Sequence, residues 1–133
     1  HLTELLINTS GGLLWHAIDN IVRNALRHSP ADGTVTINLS FENNTISIKV
    51  SDEGKGVPDA VIQKIFQPFY RVETSRDRNT GGYGLGLSIA HRAIARHGGT
   101  ITAENFSEGF RVNVLLPGAL LNQDTTLKLT PLG

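Results

Sequence analysis

The spacing of apolar residues changes period along the chain, and each period predicts an element. From Leu13 to His28, Leu14, Ile18, Ile21, Val22, Ala25 and Leu26 recur three and four residues apart. That spacing marks one face of an α-helix, stopped by Ser29-Pro30 and Ala31-Asp32-Gly33. The period then falls to two. Val35, Ile37, Leu39 and Phe41 alternate with polar residues, and so do Ile46, Ile48 and Val50. Asn43-Asn44 between them tolerates the left-handed backbone of a tight turn, which predicts an antiparallel hairpin. Pro58 to Phe66 reads as a short helix, with Pro58 near its start and Ile62, Ile65 and Phe66 on its apolar side. Helical spacing returns from Leu85 to His97, with Leu87, Ala90, Ala93 and Ile94 facing inward and Gly98-Gly99 as the C-cap. Thr100–Asn105 and Phe110–Leu116 predict a second hairpin over Ser107-Glu108-Gly109, and Pro117-Gly118 ends the pattern.

Three stretches lie outside this pattern. In residues 1–12, Leu5-Leu6-Ile7 reads as a short strand and Ser10-Gly11-Gly12 as a turn. Residues 118–133 read as a loosely attached tail, which leaves 13–117 as the folded domain. Two origins stay open for His1-Leu2-Thr3-Glu4: a chain that begins partway through a larger protein, or residues foreign to the natural sequence. Residues 72–80 hold almost no apolar side chain and include Arg76, Asp77 and Arg78. A loop of that length inside a compact domain is a lid or a binding loop.

Composition removes several function classes. A chain of 133 residues makes one domain with one core. The formal net charge of zero gives no bulk attraction to nucleic acid or to an anionic membrane. There is no cysteine, so disulfides and thiolate metal sites are excluded. No apolar run approaches a membrane span, and no signal peptide is read at the start. No Gly-Lys is followed by Ser or Thr, so there is no Walker loop.

The polar positions point to chemistry. Asn20 and Asn24 stack on one side of the first helix, with Arg27 and His28 one turn further. Two mediocre helix formers in register with a cation suggest a polar lining. Asp52 ends a strand and is followed by Gly54 and Gly56, where backbone can approach a ligand. Gly81-Gly82-Tyr83-Gly84-Leu85-Gly86-Leu87 leads into a helix whose first N–H groups and dipole favour an anion, most often a phosphate. Each motif alone has a plain alternative: a solvent-facing helix side, a turn, a core aromatic pair at Phe66 and Phe69, a flexible loop.

In this order and spacing they are distinctive. The chain resembles the ATP-binding catalytic domain of bacterial sensor histidine kinases, within the Bergerat-fold superfamily that also holds the ATPase parts of DNA gyrase, mismatch-repair proteins and heat-shock chaperones. Asn20-Ile21-Val22-Arg23-Asn24-Ala25-Leu26-Arg27-His28-Ser29 is similar to the family's N box, and Asp52-Glu53-Gly54-Lys55-Gly56-Val57-Pro58 to its G1 box. Ile65-Phe66-Gln67-Pro68-Phe69-Tyr70-Arg71 is similar to the F box, and Gly82-Tyr83-Gly84-Leu85-Gly86-Leu87 to the G2 box. The N and F boxes are worded like those of the envelope-stress (Cpx-type) sensors. The resemblance runs from about Leu13 to Pro117.

It implies an α/β two-layer sandwich, with a mixed, mostly antiparallel sheet packed on three helices and ATP between the helical layer and a lid. It implies that Asp52 accepts a hydrogen bond from the adenine amino group, that Gly54 and Gly56 lie close to the base, and that Val57, Ile65, Phe69 and Tyr70 line the pocket. Asn24, assisted by Asn20, would give oxygen to Mg²⁺. Arg27 stands where the family often has Lys, near the phosphates, and His28 where Tyr is common, beside the ribose or adenine. Gly82, Tyr83, Gly84, Leu85, Gly86 and Leu87 would form the lid hinge and bring N–H groups to the phosphates. Arg71 would approach the γ-phosphate, with Arg76 and Arg78 as further candidates. The catalytic set is then Asn20, Asn24, Arg27 and Arg71.

The resemblance also implies partners: a histidine-bearing dimerisation domain of the same protein, a response regulator receiver domain, and a homodimer in the full-length protein. It implies a cytoplasmic domain of a bacterial inner-membrane sensor. None of His1, His16, His28, His91 or His97 sits in an acceptor-like segment. Two other readings stay open here: a stand-alone serine kinase or ATPase of the superfamily, against which the F box argues, and a non-catalytic nucleotide-binding interaction module, against which Asn24, Asp52 and the G2 glycines argue.

Overall fold

The computed structural model describes residues 4–7, 12–67 and 85–128, with the side chains of 4–7, 85, 86 and 120–128 left aside. Helix α1 (Leu13–His28) starts from Gly12, whose φ is +73°. It ends where Pro30 cannot continue a helix, with Ser29 N–H donating to Ala25 O at 3.0 Å. Leu14, Ala17, Ile18, Ile21 and Ala25 are its buried face. Leu26, expected on that face, is 56% exposed. One residue past Ala25 rotates about 100° around the helix, which carries Leu26 off the apolar arc.

The predicted hairpins form. Strands β2 (Thr36–Glu42) and β3 (Thr45–Asp52) are joined by Asn43 and Asn44 at φ +53° and +59°, the two left-handed residues of a tight hairpin turn. A 3₁₀ helix (Asp59–Phe66) follows Pro58. Helix α2 (Leu85–Arg96) closes with Gly99 N–H on Ile94 O at 2.9 Å and Gly98 N–H on Ala95 O at 3.0 Å, the paired bonds of a Schellman end. Strands β4 (Thr100–Phe106) and β5 (Gly109–Pro117) make the second hairpin.

These four strands form one sheet in the order β2-β3-β5-β4, antiparallel throughout. Period-two alternation gives the sheet two unlike faces. Ile46, Ile48, Val50, Phe110, Val112, Val114 and Leu116 point to the inner face. There α1 packs on β3, α2 packs on β4, and the two helices pack on each other. One continuous hydrophobic cluster joins the layers. The outer face carries Thr36, Asn38, Lys49, Ser51, Glu104, Arg111 and Asn113. This is the expected two-layer sandwich, though among the described residues every strand pair is antiparallel rather than mixed.

The ends of the chain supply two further strands, one of them the short strand expected at Leu5-Leu6-Ile7. Residues 118–133, read as a tail, contribute a short 3₁₀ turn (Gly118–Leu120) and β6 (Leu121–Lys128), which pairs antiparallel with β1 (Glu4–Ile7). Gly118 N–H donates to Asn44 O at 2.8 Å, tying the start of this segment to the first hairpin turn.

Candidate functional site

The inner face of the sheet ends in a carboxylate. Asp52 continues the inward register of Ile48 and Val50 and is 2% exposed. One hydrogen bond among the described residues reaches it, from Gly54 N–H to Oδ1 at 2.7 Å. Burial pushes the Asp52 carboxyl above the ordinary range, and the Gly54 N–H partly opposes that. Among the described residues this buried acid keeps spare acceptor capacity, a feature shared by binding-site carboxylates.

The loop after Asp52 is shaped by its neighbours. A Cβ on Gly54 would come within 2.5 Å of the His28 carbonyl oxygen and 2.9 Å of Asp52 Oδ1. Only glycine lets this strand end meet the end of α1, and the meeting places Asp52 beside the N box. Gly56 has φ +75° and lies against the Asn105 side chain, so a side chain there is excluded twice over. Glu53 Oε1 accepts Thr34 N–H at 3.1 Å and ties the loop to the α1–β2 connection.

Helix α1 presents the polar side expected of it. Asn24 is 7% exposed, and among the described residues no hydrogen bond occupies its carboxamide. Asn20 and His28 are half-buried, and Arg27 is exposed in the last turn, where a cation also suits the helix dipole. Three predicted ligand contacts are core residues here: Val57 is 5% exposed, and Ile65 and Leu87 are 0% exposed. Their side chains pack the layers, because the loop and both helices that carry them close directly over the sheet. Phe69, Tyr70, Arg71, Gly82, Tyr83 and Gly84, with Arg76 and Arg78, lie outside the described residues; Leu85 and Gly86 are described only as backbone of α2.

The donor chemistry suits Mg²⁺. Asn24 offers an amide oxygen in a nearly buried position, with Asn20 one turn away on the same side. A hard cation takes oxygen ligands and keeps several waters, so few protein ligands are needed. Among the described residues no group of three or more His, Asp or Glu could hold a metal. A depression of about 240 Å³ opens instead on the outer face, lined by Thr36, Asn38, Ser51, Phe106 and Arg111 among others. It shares only Asp52 with the predicted site residues.

One residue of the site escaped the sequence reading. The Asn105 carboxamide bonds the Val57 N–H and C=O and the Asp59 carboxylate. Its partners lie 46 and 48 positions away, so no local pattern marks it.

A buried acid at a strand end, a glycine loop packed against the end of α1 and a nearly buried asparagine on that helix sit in one two-layer sandwich. Residues 10–120 match the family of histidine kinase-, DNA gyrase B- and HSP90-like ATPases, and the chain belongs to that family. Within it, the chain corresponds to the ATP-binding catalytic domain of sensor histidine kinases. It is 38% identical over 117 residues to the sensor histidine kinase WalK of Bacillus subtilis, covering 86% of this chain and 19% of WalK. It is 42% identical over 102 residues to the sensor histidine kinase CpxA of Escherichia coli, covering 76% of this chain and 22% of CpxA. The chain thus spans about a fifth of the length of these relatives. The catalytic domain of histidine kinase ThkA superposes with a TM-score of 0.71 at 28% identity, over 83% of this chain and 70% of that one. Full-length ShkA in complex with AMPPNP gives 0.66 at 29% identity, over 80% and 21%. ThkA in complex with the response regulator protein TrrA gives 0.63 at 28% identity, over 77% and 27%. Among the described residues no helix is long and apolar enough to cross a membrane.

Proposed function

We propose that this domain binds ATP with Mg²⁺ and supplies its γ-phosphoryl group to a histidine on the dimerisation domain of the same protein, from which a response regulator takes it. The observation that supports this reading is the junction of Gly54 with the His28 carbonyl, which brings the loop after the buried Asp52 against the end of α1, the helix that carries Asn20 and Asn24. Asp52 accepts the adenine amino hydrogen; guanine has a carbonyl at that place and would face the carboxylate acceptor to acceptor. Asn24 and Asn20 hold the cation by amide oxygen, and Mg²⁺ neutralises charge on the phosphates when bound. Arg27, exposed at the end of α1, is a cation for the phosphates in this reading, and Arg71 takes the same role from the lid side.

In the transfer, the bond between the γ-phosphorus and the β–γ bridging oxygen breaks. A bond from an imidazole nitrogen to that phosphorus forms, and ADP leaves. A neutral imidazole is already nucleophilic, so positioning and charge neutralisation suffice. Asn20 fits this role. An amide cannot take a proton from water as a carboxylate can, so ATP is kept for the histidine. Asn20→Glu is expected to raise release of inorganic phosphate; an unchanged rate in a folded variant contradicts this part of the proposal. The direct test is calorimetric titration with ATP and with GTP, each with and without Mg²⁺. ATP binding that Mg²⁺ strengthens, with GTP binding weaker, is expected. No binding of ATP in either condition sinks the reading.

A further inference from the structure

We infer that Asn105 is a positioning residue for the adenine end of the nucleotide site, acting through the loop between Asp52 and Asp59. The inference rests on the reading that Asp52 and Gly54 hold the base. Asn105 is the next-to-last residue of β4, and its side chain reaches across to that loop. Oδ1 accepts Val57 N–H at 3.1 Å, and Nδ2 donates to Val57 C=O at 2.6 Å. The carboxamide therefore pairs with both backbone groups of one residue, as a neighbouring strand would. Its second N–H goes to Asp59 Oδ1 at 2.8 Å, at the first residue of the 3₁₀ helix. Gly56, with φ +75°, is folded against Asn105 Oδ1 so closely that a Cβ would collide with it.

The loop is thus anchored twice. Its first half is set by Gly54 N–H on Asp52 and by Glu53 on Thr34 N–H. Its second half is set by Asn105. Between the anchors run Gly54, Lys55 and Gly56, the backbone proposed to lie along the base. Releasing one anchor lets Gly54–Gly56 move relative to Asp52, and the gap that fits adenine widens. Only a carboxamide offers an acceptor and two donors in one plane at this reach. Asn105 is itself exposed. Truncating it leaves no core cavity, and the two-layer sandwich does not depend on it for packing.

Asn105→Ala is expected to weaken ATP and ADP binding equally, by about tenfold for lost loop ordering and hydrogen bonds. The ATP-over-GTP preference should fall, and the increment that Mg²⁺ adds to ATP affinity should not change. That pattern separates loss at the base from loss at the phosphates, and general destabilisation produces neither. Asn105→Asp should be worse than alanine, since it removes both donors and sets a second carboxylate against Asp59. Adding Asp59→Asn to Asn105→Asp should restore most of the affinity by returning a donor to the pair. The measurement is titration of each variant with ATP, ADP and GTP, alongside circular dichroism and thermal melting. A folded Asn105→Ala with wild-type affinity and wild-type ATP-over-GTP preference overturns the inference and leaves the function reading standing. If Asn105→Ala does not fold, the Asp pair decides: no recovery on adding Asp59→Asn overturns the inference. A wild-type protein that does not bind ATP overturns the function reading, and this inference with it.

Discussion

Asp52 and Glu104 are carboxylates on opposite faces of one sheet, and their surroundings push them in opposite directions. Glu104 stands on the outer face of β4. It accepts a hydrogen bond from Asn113 Nδ2 at 3.0 Å and lies 3.5 Å from Arg111 Nη1. The Asn113 bond first, then the Arg111 charge, holds its carboxyl below the ordinary range. Arg111 is in turn spread over the Phe106 ring at 4.2 Å and donates from Nε to Ser51 Oγ at 3.1 Å. The outer-face acid is satisfied inside the protein. Asp52, on the inner face, has one N–H and no ion pair among the described residues, and burial drives its carboxyl up. Two acids of the same chemical kind thus separate by their surroundings. On the proposed function, a ligand supplies for Asp52 the partner that the fold supplies for Glu104.

Exchanging each acid for alanine tests that separation most severely. Asp52→Ala is expected to weaken ATP binding by about 10- to 100-fold, the worth of roughly 1.5–3 kcal/mol for a hydrogen bond to a charged group. Glu104→Ala should leave the affinity within about twofold, because nothing proposed for the nucleotide touches the outer face of β4. The measurement is the ATP dissociation constant by titration. Equal losses from both variants would erase the distinction.

A smaller effect separates the two acids in stability without any ligand. The Asp52 pKa is raised on folding, so the folded state binds protons more readily than the unfolded chain. Folding stability therefore falls as pH rises from the ordinary value of 3.8 through the raised folded pKa. Asp52→Asn removes that penalty while keeping an oxygen for the Gly54 N–H. Its melting temperature at neutral pH is expected to exceed that of wild type by a few degrees. The gap should close as pH falls towards the ordinary carboxylate range. A variant that melts lower than wild type at neutral pH would mean that Asp52 has a partner in the unliganded protein.

The same contrast explains what could be read in advance. Helices and hairpins were legible because their signals are local. The apolar stripe of α1, the Asn43-Asn44 turn and the Gly98-Gly99 end each state a backbone preference within a few residues. Two local features of the proposed site were legible as types at positions: the glycine at 54 is required where that loop meets the end of α1, and Asn24 is nearly buried on α1. What escaped was set by distance along the chain. Asn105 looks like any polar strand residue until Val57 is brought to it from 48 positions away. The pairing of β1 with β6 joins Glu4 to Lys128, and neither strand carries a clean alternation to announce it. Burial was misjudged where a stripe ends, at Leu26. Ile65 and Leu87, read both as inward-facing and as motif residues, are buried as their spacing predicted, and Val57, read only as a motif residue, is buried too.

The smallest effect belongs to Glu104 itself and bears on whether its network is a strut at all. Its pKa is lowered on folding, so its stabilisation is present above the ordinary value of 4.5 and is lost as pH falls through the folded pKa. The side chain is 49% exposed, and solvent and salt screen such a pair. Glu104→Gln keeps an acceptor for Asn113 and removes only the charge facing Arg111. The expected loss at neutral pH is about 0.5 kcal/mol or less, vanishing below the ordinary carboxylate range and shrinking in high salt. Urea unfolding at two pH values and two salt concentrations measures it. A loss that persists in acid would place the contribution in packing around Phe106 and Arg111, not in charge. The outer face would then be held by stacking, and the contrast with Asp52 would rest on burial alone.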